Sequence, residues 1–152
     1  MPTRDCVVLL HGLARTSKSM DKMAQALEQQ GYLVINVNYP SRTNTVWKLS
    51  AIAMQQALTA CEQGSTKQPG KIHFITHSLG GILLRYYLAE QSIENLGRAV
   101  LIAPPNQGSE VVDRLGNVPG FKLLNGPAGM QLGTDENSLP RTLGGGLIFL
   151  SA

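Results

Sequence analysis

The run Ile72-His73-Phe74-Ile75-Thr76-His77-Ser78-Leu79-Gly80-Gly81 constrains this chain more than any other. Ile72 to Thr76 reads as a buried strand, and Leu79 to Gln91 reads as a helix rich in Leu and Tyr. Passing from strand to helix over so few residues demands a sharp turn. Small residues two before and two after its tip relieve the crowding, and Ser78 is that tip. Gly80 fills the second small position, while Thr76, small but β-branched, fills the first. A serine hydroxyl is a poor nucleophile until it is positioned and paired with a base, and such a turn does the positioning. The helix start beneath Ser78 adds backbone N–H groups and the positive end of a dipole. The Leu79 N–H is therefore a candidate oxyanion donor. The bland alternative is an ordinary strand–glycine–helix turn.

The rest of the chain supplies a frame for that turn. Cys6 to Leu10 is a continuous apolar run, as in a strand covered on both faces. Ser19 to Gln30 has helical spacing at Met20, Met23, Ala24 and Leu27, with Ser17 or Ser19 expected as cap and Gly31 closing the helix. Tyr32 to Val37 reads as a second strand, Val46 to Gln63 as a long helix, and Ala99 to Ala103 as a fourth strand. Strands alternating with helices predict an α/β fold, a parallel sheet with helices on both faces. Residues 104–146, rich in Gly, Pro and Asn, are expected to form a lid or cap-like excursion within one domain spanning 1–152. Leu147 to Leu150 is then a possible fifth strand.

Composition narrows the function classes. Hydrophobic residues at 43% and charged residues at 15% fit an ordered globular chain. Net charge is 13 − 10 = +3, without a Lys or Arg run, so nucleic acid is not an expected partner. No stretch approaches a membrane span, and the N-terminal apolar run is too short for a signal peptide. The expected localisation is cytoplasmic, with a secreted mature form left open. Cys6 and Cys61 belong to no CxxC pair, which argues against a metal or redox site. Both read as small core residues, with nothing in the sequence pointing to a disulfide between them. No GxGxxG run or metal-ligand spacing occurs, so no cofactor is expected.

A second constellation follows the first strand. In His11-Gly12-Leu13, Gly12 lets the loop backbone approach a substrate closely, and the Leu13 N–H is a second candidate oxyanion donor. Taken together, Val7-Val8-Leu9-Leu10-His11-Gly12-Leu13 and Thr76-His77-Ser78-Leu79-Gly80-Gly81 resemble the α/β-hydrolase superfamily, in its bacterial lipase and esterase branch. Ala103-Pro104-Pro105-Asn106-Gln107-Gly108-Ser109 and Asn36-Val37-Asn38-Tyr39-Pro40 are similar to segments of those lipases. The resemblance runs from about Cys6 to about Ser109. It implies Ser78 as nucleophile, Leu13 and Leu79 as oxyanion donors, and a small-molecule or lipid carboxylic ester as substrate. A thioesterase or acyltransferase on the same fold, and a non-catalytic hydrolase-like module, are the alternatives.

One part of the family pattern is missing. Its order is nucleophile, acid, histidine, yet His11, His73 and His77 all precede Ser78. His11 is the best placed of them for a base, although a histidine at that turn ordinarily braces the oxyanion loop. His73 reads as a packed strand residue, and His77 is expected to point away from the Ser78 hydroxyl. Acids after Ser78 are Glu90, Glu94, Glu110, Asp113, Asp135 and Glu136, and none occupies the family position after the last strand. The pattern implies a minimal or C-terminally truncated hydrolase. Its exposed sheet edge would suit homo-dimerisation.

Overall fold

The computed structural model describes residues 3–65, 70–102 and 150–151. Five parallel strands form one sheet in the order β2-β1-β3-β4-β5. They are β1 (Cys6–Leu10), β2 (Leu33–Val37), β3 (Ile72–His77), β4 (Leu96–Ile102) and β5 (Leu150–Ser151). The helices are α1 (Asp21–Gln29), which follows a 3-10 turn at Ser17–Met20, α2 (Val46–Gln63) and α3 (Leu79–Glu90). The expected excursion at 104–146 lies outside the described residues, as does Leu147 to Phe149 of the possible fifth strand. Glu110, Asp113, Asp135 and Glu136 lie outside them too.

Every residue of β1 is buried, because helices cover both faces of the sheet. Cys6, Val8 and Leu10 share one face with Ile72 and Phe74, packed on Leu49, Ala53 and Ala57 of α2 and Ile82 and Leu83 of α3. Val7, Leu9 and Ile75 share the other with Met20, Met23, Ala24 and Leu27. The Ser50 hydroxyl of α2 donates to the Leu83 carbonyl of α3 at 2.9 Å, satisfying a polar group inside the helix contact.

Local sequence explains most element ends. Gly31 at φ +94° closes α1 as a Schellman motif. The Tyr32 N–H donates to Leu27 O at 3.3 Å and the Gly31 N–H to Glu28 O at 3.0 Å. This spends Tyr32 on the cap, so β2 starts one residue later than its hydropathy predicts. At the other end of α1 neither serine caps. The N-caps of the 3-10 turn and of α1 are Thr16 and Met20, without side-chain cap bonds, and Ser19 Oγ instead donates to Thr16 O at 2.8 Å.

Two corrections concern packing. Cys6 and Cys61 are not separate core residues; they form a disulfide that ties the start of β1 to the last turn of α2, with Cα atoms 5.9 Å apart. The pairing depends on the crossing of a helix over a strand, which spacing along the chain does not encode. β4 begins at Leu96 rather than Ala99. A register irregularity between Ile72 and Phe74 admits the extra residues. The Arg98 N–H there donates to His73 Nδ1 at 2.9 Å. A side chain at Gly97 would start 2.3 Å from that ring nitrogen, so only glycine fits beside it.

Since all strands run one way, the loops after β1, β2 and β3 gather at one edge of the sheet, where α/β folds carry their sites.

Candidate active site

Ser78 stands between the end of β3 and the first residue of α3, with φ 51° and ψ −116°. Side chains other than glycine rarely adopt this region, and holding one there costs about 1–3 kcal/mol. Its surroundings fix it: the Ser78 N–H donates to Ile102 O of β4 at 3.0 Å, and the Gly81 N–H donates to Ser78 O at 3.0 Å. The glycines that follow are required by space. A Cβ at Gly80 would lie 2.5 Å from Leu10 O, so only glycine lets α3 start against the end of β1. Thr76 is fully buried, and its hydroxyl finds no hydrogen-bond partner among the described residues. A Cβ at Gly81 would sit 3.1 Å from that oxygen. The threonine is thus accommodated because the residue facing it is glycine.

The loop after β1 meets this turn directly. A Cβ at Gly12 would lie 3.4 Å from Ser78 Cβ and 2.7 Å from His77 Nδ1. Glycine at 12 is what brings the backbone preceding Leu13 against the serine. The Leu13 and Leu79 N–H groups take part in none of the turn or cap bonds of the described residues. Leu79 is the first residue of α3, where an N–H has no helical acceptor.

The same loop is clasped to the loop after β2. His11 is fully buried and stacks on Tyr39, with ring centroids 4.0 Å apart and planes 9° from parallel. The Tyr39 N–H donates to His11 Nε2 at 3.3 Å, so the proton is assigned to Nδ1, which donates to Gly12 O at 2.9 Å. The Tyr39 hydroxyl donates to the His11 carbonyl. Further along, the buried Ser41 hydroxyl accepts the Ala14 N–H at 3.1 Å, and Arg42 Nη2 donates to Ala14 O at 3.3 Å. Ala14 is held at φ 57°.

These contacts decide what His11 can do. Burial lowers its pKa and keeps the ring neutral. Both ring nitrogens are engaged inside the clasp, which leaves no lone pair for the Ser78 proton. Its geometry is that of a brace. His73 lies near the opposite end of β3, where its Nε2 meets Asp5 Oδ2 at 3.0 Å. Because Nδ1 accepts the Arg98 N–H, Nε2 carries the proton toward Asp5. That contact is the main reason the Asp5 carboxyl sits below its ordinary pKa. His77 lies beside Ser78 with its ring against Gly12, and makes no hydrogen bond to Ser78. Glu90 and Glu94 are exposed, at the end of α3 and beyond it.

Tyr39, Ser41 and Arg42 were not legible as site residues. Their sequence signal is only a Tyr-Pro-Ser loop, and their role depends on the β1–β2 pairing that places the two loops side by side.

The fold is similar to that of known proteins. Residues 6–138 match the family model of palmitoyl protein thioesterases. Phospholipase PlaB from Legionella pneumophila is similar in fold, with TM-score 0.66 and 20% identity over 91% of this chain and 34% of its own. The mature lipase BlEst2 from Bacillus licheniformis gives TM-score 0.65 and 18% identity over 94% of this chain and 64% of its own. The lin2722 product from Listeria innocua gives 0.56 and 17% over 72% and 55%. The chain thus spans about a third of the length of the phospholipase and under two thirds of the lipase. No curated protein sequence matches it.

Proposed function

The chain belongs to the palmitoyl protein thioesterase family, on the α/β-hydrolase fold, and from that premise we propose that it cleaves carboxylic esters or thioesters through an acyl-serine on Ser78. The observation that carries this is the strained Ser78 backbone, held at φ 51° with Gly12 packed against it. Strain of this kind persists where neighbours enforce it, and it clusters at reacting groups. Ser78 Oγ attacks the substrate carbonyl carbon. The Leu13 and Leu79 N–H groups receive the oxygen as it becomes negative. The C–O or C–S bond then breaks, the leaving group departs with a proton, and water releases the acyl group. An oxyanion donor of this kind is worth about 3 kcal/mol in the transition state.

No histidine follows Ser78 in these 152 residues, and His11 is closed within its clasp. Among these 152 residues no histidine is placed to accept the Ser78 proton. Sites without one triad member retain roughly 10³–10⁴-fold catalysis over water from oxyanion hole and binding alone. Slow turnover is expected, with acylation accelerated by added imidazole as an external base. The test is hydrolysis of p-nitrophenyl esters and acyl thioesters by wild type and Ser78→Ala. The proposal expects the variant to fall to background. Equal rates would favour the second reading, a non-catalytic hydrolase-like module. The panel also separates ester from thioester preference.

The Cys6–Cys61 disulfide supports maturation in an oxidising compartment, not the cytoplasm suggested by the N-terminal sequence. Among the described residues no helix is long and apolar enough to cross a membrane.

A further inference from the structure

A cavity of about 420 Å³ opens between the loops that follow β1 and β2. Arg15, Thr16, Ser41, Arg42 and Thr43, two arginines and three hydroxyl residues, are in its lining, and among the described residues no Asp or Glu lines it. The bias extends beyond the cavity. Residues 11–20 and 38–49 hold Arg15, Lys18, Arg42 and Lys48 but no Asp or Glu. Among the described residues neither Arg15 nor Arg42 has an ion-pair partner. A concave site lined by unneutralised cations raises the local concentration of anions.

The cavity is also built onto the oxyanion loop. Ala14, in its lining, is fixed from both sides, by the buried Ser41 hydroxyl on its N–H and by Arg42 Nη2 on its carbonyl. Ala14 is two residues from Gly12, which packs on Ser78, a span of at most about 7 Å of chain. The cavity therefore adjoins the loop that packs against Ser78, although Ser78 itself is not in its lining.

We infer that this cavity is a subsite for a phosphate group carried by the ester or thioester substrate, and its link to the reaction rests on the serine-hydrolase proposal. The two guanidinium forks with the Thr16 and Ser41 hydroxyls offer the several donors that phosphate oxygens require, while the Thr43 hydroxyl donates to Pro40 O. The chemistry is shared by a phospholipid headgroup, a phosphate-bearing thiol and free phosphate, and probes distinguish them.

Binding is measured by calorimetry on the full chain, with glycerol 1-phosphate, inorganic phosphate and glycerate, for wild type, Ser78→Ala and Arg15→Gln. Glycerol 1-phosphate is expected to saturate wild type and Ser78→Ala alike, and to bind Arg15→Gln roughly ten- to a hundredfold more weakly. Equal affinity for inorganic phosphate supports recognition of the anion itself; weaker affinity for it supports recognition of the phosphoester. No saturable binding to wild type, undiminished binding to Arg15→Gln, or glycerate bound as tightly as the phosphates would overturn the inference. A kinetic arm compares an acyl-coenzyme A with the same acyl N-acetylcysteamine. Wild type is expected to prefer the phosphate-bearing thioester, and Arg15→Gln to lose that preference. If neither thioester is cleaved while glycerol 1-phosphate still binds through Arg15, the serine-hydrolase proposal fails and the phosphate site stands.

Discussion

Gly12 carries no side chain, and the reason is visible in what a methyl group there would meet. It would stand 2.7 Å from His77 Nδ1, where the ring or the loop must shift, and 3.4 Å from Ser78 Cβ, an ordinary contact. Under the serine-hydrolase proposal, Gly12→Ala displaces the Leu13 N–H from the position where the oxyanion would develop. Ester hydrolysis should fall by about 10²-fold, the size of effect expected when one oxyanion donor is misplaced. Far-ultraviolet circular dichroism should show the fold retained. A variant with wild-type kcat would mean that Leu13 plays no part. His11 makes a different prediction. Its folded pKa lies below the ordinary value of 6.5, so between the two the unfolded chain binds the extra proton. Its contribution to stability is complete above pH 6.5 and is lost as pH falls toward the folded value. Denaturation followed from pH 8 to pH 5 should show this loss, and His11→Gln should flatten that limb. Asp5, with its pKa held below 3.8, acts only in a separate, more acid window: its contribution is present above 3.8 and lost as pH falls further.

At the scale of elements, the Cys6–Cys61 bridge ties the first strand to the second helix and closes a loop of 55 residues. Removing such a bridge costs about 2–4 kcal/mol. Cys61→Ala should lower the denaturation midpoint accordingly. Thiol titration in denaturant should find no free thiol before reduction and two after; two before reduction would remove the bridge from the account. How far elements are legible in sequence follows from what sets their ends. β1 and α2 were readable because continuous apolar burial and helical spacing are local signals. The turn at Ser78 was readable because Gly80 and Gly81 are demanded by close contacts on either side of it. β4 was cut short because Leu96-Gly97-Arg98 looks unlike a strand, and its pairing depends on the His73 ring lying over Gly97. The disulfide and the Tyr39 clasp are likewise products of tertiary packing. No periodicity marks them.

Across the whole molecule, the parallel sheet sends every described loop with chemical potential to one edge. β2, β1 and β3 are neighbours in the order of the sheet, so the loops after them converge. One brings the strained serine, one the Gly12-Leu13 backbone and one the clasp that holds that backbone still. The same edge carries Arg15 and Arg42 in the loops after β1 and β2, Lys18 in the 3-10 turn and Lys48 in the first turn of α2, against Asp21 at the start of α1, whereas Asp5 and Glu28 lie toward the opposite edge. Raising salt should therefore weaken turnover of phosphate-bearing substrates more than that of neutral esters; equal sensitivity would argue against a role for this field.

All of this turns on whether Ser78 reacts. The direct measurement is intact-mass and peptide-mass analysis after incubation with a fluorophosphonate. A single adduct is expected, mapped to Ser78 and absent from Ser78→Ala. A folded wild-type protein that takes up no label, or carries it on another residue, would contradict the assignment of Ser78 as the nucleophile.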